Sequence, residues 1–266
     1  MGLVRTLLGF AKIQFSEENV YRLDSFIWML LVPAFFLVEY FLWRAIFSVS
    51  TQEIIRGFTF SGIVIYFFLS HIVQAVTSCR VDSEISRSVK NGKFIKHLVR
   101  PINFLTYSFI RNCWRAVFRV KFLPILLIIG YFTIPSFEYT SLNLLFFIIT
   151  VIFAITIRFS FTFLFGLISF WTKEYWGIKS IRQGIHMFFA GSVIPLTFFP
   201  SSLQTISKYM PFQYMLYVPI QTFLGTYSTV EVMNLILVQV IWTAAFFGMS
   251  LLVWKKAHTR FMGVGV

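Results

Sequence analysis

Charge inside hydrocarbon is expensive, so an ionisable residue in the middle of an apolar run is the first place to look for chemistry. Two such residues stand out: Glu39, within WMLLVPAFFLVEYFLW, and Arg158, within LLFFIITVIFAITIRFSFTFLF. Counted from the inner ends of their runs, roughly 14 and 12 residues at about 1.5 Å each, they sit at similar depth. They are candidates for an ion pair that locks two helices, or for a place along a translocation path. Other chemistry is thinly represented. There is no GxxxxGK[ST] phosphate loop, the nearest being Gly177-Ile178-Lys179-Ser180 without the first glycine, and no HExxH or GxSxG. His71, His97, His186 and His258 are scattered, and Cys79 and Cys113 have no metal-ligand spacing. No catalytic residue, metal site or cofactor is expected in this chain, and each histidine reads as a packing or interfacial residue.

The elements that must hold these charges follow from composition. Of 266 residues, 58% are hydrophobic, 20% aromatic and 12% charged, where soluble domains carry about 25% charge. With a mean hydropathy of +0.78, this excludes a soluble globule and points to a polytopic membrane protein. Six apolar stretches stand out, near 25–47, 58–79, 121–134, 142–170, 183–200 and 230–254. They are continuous rather than alternating with period two, so the expected fold is all-α with six transmembrane helices.

Nineteen of the 23 Lys and Arg fall before the first stretch, between the second and third, between the fourth and fifth, or after the sixth. Arg44, Arg56 and Lys208 lie on the other side. The asymmetry places both termini in the cytoplasm, and it accounts for the net charge of +13 without nucleic acid. The first 22 residues mix Leu3, Leu7, Leu8 and Phe10 with Arg5 and Lys12, as an amphipathic helix in the headgroup plane does. Arg111, Arg115 and Arg119 recur every four residues in the segment before the third stretch, which also reads as interfacial. Residues 200–227 contain Pro200, Pro211 and Pro219, and fit short outer helices or a re-entrant hairpin.

Several segments together carry a resemblance: LVRPINFL, FWTKEYWGI, GSVIPLTFFPSSLQTISKYMPFQYMLYVPIQTFLG and the tail KKAHTRFMGVGV. In this order, over essentially the whole chain, they resemble the permease subunits of bacterial ABC transporters of the type-2 exporter group. The resemblance implies a single permease domain over residues 1–266 in the bacterial plasma membrane. It implies an N-terminal interfacial helix at 1–22, a cytoplasmic coupling loop at 80–100 and short outer helices at 200–227. It also implies two copies of a separate ABC ATPase that hold ATP and magnesium, and a second permease, identical or different, packed through spans one and five. Carried onto this chain, the ATPase contacts would be Asp82, Glu84, Arg87, Lys90 and Phe94 in CRVDSEISRSVKNGKFIKHLVRP. The cargo would be amphiphilic and the mechanism alternating access. A self-sufficient carrier or channel, and an integral-membrane lipid enzyme, are the other readings of so apolar a chain.

Overall fold

The computed structural model describes residues 22–98, 102–120, 123–134, 140–172 and 174–264. The amphipathic helix expected over residues 1–22 therefore lies outside them, Arg22 excepted. Among the described residues the chain is helical throughout, without a strand.

Among the described residues four helical stretches are long and apolar enough to cross a bilayer: Leu30–Val49, Phe60–Lys90, Ser141–Phe170 and Thr229–Ala257. They belong to helices α1 (Arg22–Val49), α2 (Phe60–Thr77) with α3 (Val81–Lys90), α7 (Ser141–Leu167) and α11 (Thr229–Val264). The third and fifth stretches hold shorter helices. Between α3 and α7 come α4 (Ile95–Leu98), α5 (Phe104–Arg119) and α6 (Leu123–Thr133). After α7 come α8 (Trp176–Phe189), α9 (Ser201–Tyr209) and α10 (Tyr217–Phe223). At 1.5 Å per residue α6 and α8 reach only about 16 and 21 Å, against a hydrocarbon core of about 30 Å.

Helix α7 is the central pillar. It packs most extensively on α11, then on α3 and α10, and also touches α2, α5 and α8. Two apolar cores sit along it. One joins α1, α2 and the Pro-broken segment around Tyr66, Phe161, Phe212 and Met215. The other gathers Ile85, Phe94, Phe104, Phe163 and Trp254 at the opposite end. Helix α1 packs mainly on α2 and turns Leu30, Phe35, Val38 and Phe41 outward, an apolar face that suits lipid or a partner helix rather than water.

The chain leaves span two at Ser78, whose extended backbone (φ −51°, ψ 132°) breaks the helix before α3 begins. Helix α3 carries Asp82 and Glu84 in its first turn and Arg87 and Lys90 in its last, complementing the helix dipole. Its buried residues Val81 and Ile85, four apart, form the face laid on α7. Gly166 makes that approach possible. A Cβ there would lie 2.8 Å from the Asp82 Cα and 2.9 Å from the Ile85 Cδ1.

Helix α8 ends at a left-handed glycine. Gly191 has φ +79°, and the amide of Ser192 reaches back to the carbonyl of Met187 (3.3 Å). The Tyr66 hydroxyl donates to the Gly191 carbonyl at 2.6 Å, tying this corner to span two. The following Pro-broken segment packs on the protein: residues 211–222 are buried without exception. Side-chain amides satisfy its backbone. Gln204 donates to the carbonyls of Thr197 and Phe199, Gln213 to that of Lys208, and Gln239 of α11 to those of Thr150 and Tyr214 at 3.1 and 2.9 Å.

Replacing Gly166 by Ala should force α3 off α7 and lower stability by about 1–3 kcal/mol, read as a drop in the midpoint of thermal unfolding in detergent. Gly184→Ala in α8, where a Cβ meets nothing within 4 Å, should leave that midpoint unchanged or raise it.

Candidate functional site

The residues of the expected coupling segment divide into two groups. Asp82, 1% exposed, and Phe94, fully buried, point into the chain, whereas Arg87 and Lys90 face outward. Each side of this division has a physical cause.

Asp82 is held by four donors' worth of contact. Arg182 Nη2 lies 2.8 Å from its Oδ2, and the Tyr175 hydroxyl donates to the same oxygen at 3.0 Å. The backbone amide of Ser83 donates to Oδ1 at 2.7 Å, and the Ser83 hydroxyl stands at 3.4 Å. Arg182, 2% exposed, also reaches the Thr162 hydroxyl of α7 at 3.4 Å. One ion pair thus joins α3, α7 and α8. Burial, and next the carboxylate of Asp82 beside it, push the Tyr175 phenol well above its ordinary value, so it remains a donor at any physiological pH.

Glu84 faces α5, where Arg111 lies 3.3 Å from one carboxylate oxygen and Arg115 makes a close contact to the other. Arg119, one turn on, donates to the Ser78 carbonyl at the end of span two. The arginine stripe of α5 therefore faces Glu84 and the end of span two, and Val117 and Val120 take the exposed side. Two of its cations meet Glu84 of α3 and the third meets a carbonyl at the end of α2, so α5 is tied to both elements.

Phe94 sits where α3 turns into α4. Its ring meets Phe104 of α5 and Phe170 at the end of α7, both at 4.9 Å and edge-on, and Trp254 of α11 at 5.9 Å. The apolar anchor expected to reach outward instead fixes the loop against three helices. Arg87 is exposed, and Lys90 makes only a solvent-exposed 3.5 Å pair with Glu174, of the kind that contributes little to stability.

The two intramembrane charges do not pair with each other. Glu39 Oε2 lies 2.8 Å from His71 Nε2 of α2, and the Arg158 guanidinium lies against the imidazole of His186 in α8. Similar depth was insufficient because α1 and α7 are separated by α2, and each charge takes the nearest polar group. These histidines were expected to be packing residues. The sequence gives little hint of these pairings: His71 stands in an apolar helix, whereas His186 follows Lys179, Arg182 and Gln183 in an amphipathic one.

A groove of about 480 Å³ lies between α1 and the junction of α8 with α9, lined by Glu39, Trp43, Phe67, Phe188, Phe198 and Phe199 among others. Among the described residues no cluster of His, Cys, Asp and Glu is placed to hold a metal ion.

Asp82→Asn should strand the Arg182 charge and cost about 3–5 kcal/mol, whereas Tyr175→Phe should cost about 1 kcal/mol. The double change Asp82→Leu with Arg182→Met should recover most of the loss, since both buried charges leave together. Thermal unfolding of the four purified proteins in one detergent measures all three.

No curated protein matches the chain as a whole-protein relative. The family described as ABC-2 family transporter protein matches residues 34–265, from the first span through the last helix. That match takes in α2, α3, α7, the Pro-broken segment and α11. The chain belongs to the ABC-2 family of transporter proteins, and is a multi-pass membrane permease of that family.

Proposed function

We propose that this chain is the membrane half of an ATP-driven exporter. It pairs with a second permease, identical or different, and the two form a path for an amphiphilic compound by alternating access. Two ABC ATPase subunits bind from the cytoplasm and hold the ATP and magnesium. The chain contributes no covalent chemistry. In this reading it lies in the bacterial plasma membrane with six spans and both termini cytoplasmic, α6 with its lead-in α5 supplying the third span and α8 the fifth. The excess of Lys and Arg in the segments assigned to the cytoplasm supports that orientation.

The observation that carries the proposal is the construction of α3. A short charged helix emerges from span two, is bolted to α7 by Ile85 over Gly166, and is tied to α8 through Asp82 and Arg182. Its outer side presents Arg87 and Lys90. A surface that receives a push from a partner subunit needs both properties: outward charge for recognition and inward rigidity for transmission. Arg87 and Lys90 are the contacts to the ATPase, and Asp82, Glu84 and Phe94 position them.

A mild-detergent pull-down from native membranes should bring down an ABC ATPase with ATP hydrolysis. The charge reversals Arg87→Glu and Lys90→Glu together should weaken that association by about tenfold or more, at an unchanged unfolding midpoint. Recovery of the chain alone, with transport by the purified permease in the absence of any ATPase, would establish a self-sufficient carrier instead.

A further inference from the structure

The groove beside α1 has an uneven chemistry. Its walls are almost wholly apolar and aromatic, and among the described residues Glu39 is its one charged lining residue. Trp43 lies one helical turn beyond Glu39 on the same face of α1. The Trp43 ring stands 5.2 Å from Phe198 and 6.0 Å from Phe67, and Phe188 stacks on Phe199 at 4.7 Å. The Glu39 side chain is 27% exposed: it meets His71 and also lines the groove. His71 Nε2 stands 2.8 Å from Oε2, so this contact engages one of the two carboxylate oxygens.

A carboxylate facing an aromatic groove within a membrane span is costly for an uncharged cargo and repels an anionic one. It suits a cation with an apolar body, whose charge meets the carboxylate while Trp43 offers the face of an indole. We propose that this groove binds lipophilic organic cations, with Glu39 as the counter-charge and Trp43, Phe188 and Phe198 as the apolar and cation–π wall. This rests on the reading of the chain as a permease and names the substrate class of that path.

The test is equilibrium binding of radiolabelled tetraphenylphosphonium to the full-length chain in phosphatidylcholine nanodiscs, counted above empty nanodiscs. Saturable binding is expected, weakened about tenfold or more by Glu39→Gln and retained by Glu39→Asp. His71→Ala removes the donor but keeps the charge, so binding should be retained or strengthened. Tetraphenylborate, of the same shape and opposite charge, should compete poorly. If Glu39→Gln fails to fold, Phe198→Leu keeps the apolar volume without the ring and should weaken binding severalfold. Absence of saturable binding, equal affinity in folded Glu39→Gln, undiminished binding in Phe198→Leu, or equal competition by tetraphenylborate would each overturn the proposal. Because binding is read on the permease alone, a negative result leaves the recruitment of an ATPase untouched. Failure to recruit an ATPase would likewise leave a positive binding result standing.

Discussion

In hydrocarbon a backbone amide or carbonyl without a partner loses several kcal/mol, and the architecture of this chain follows from that constraint. Regular helices meet it by themselves. Residues 190–224 meet it only in part, because Pro195, Pro200 and Pro211 fall outside the short α-helices and supply no amide donor, and Pro219 sits in the first turn of α10. The chain meets the constraint there by burial against α7 and α2 and by long amides that reach the freed carbonyls. Gln239 is the clearest case, since its single NH2 group serves the pillar helix and the Pro-broken segment at once. The position of that segment is thereby coupled to the position of α11.

Charge follows the same logic at the other end of the molecule. Asp82 and Arg182 are both nearly inaccessible, and such a pair stabilises only when its remaining hydrogen-bonding capacity is filled. Tyr175 and the Ser83 amide fill it on the acidic side, and Thr162 contributes on the basic side. The result is less a source of stability than a device of specificity, fixing one register between α3 and α8. Around it the cations of α5 close on Glu84, so the end of the molecule that holds α3 combines polar contacts with the ring cluster of Phe94, Phe104 and Trp254.

Much of this was legible in the sequence, for a reason that lies in the solvent. Long apolar runs specify α1, α2, α7 and α11 because lipid tolerates little else, and the prolines mark the broken segment before α11. The short charged helix after span two was also legible from its composition. What a single sequence hides is direction. Asp82 and Arg182 are 100 residues apart, and nothing local says that they meet. The arginines of α5 have the spacing of an interfacial stripe, and that spacing is the same whether the stripe faces phosphates or Glu84. Phe94 is an apolar residue among charges, which describes an outward anchor and an inward one equally well. Glu39 and Arg158 were found by their cost, but their partners depended on which helix intervenes.

Helix α7 is contacted by α3 near one end and by the Pro-broken segment near the other. A helix of 27 residues is about 40 Å long and stiff over that distance. Under the alternating access proposed above, a sideways shove at α3 would emerge at the far end of this helix as a swing of opposite sense about its crossing with α2, with no relay of side-chain rearrangements in between. Opening one end and closing the other would then be a single movement of one shaft.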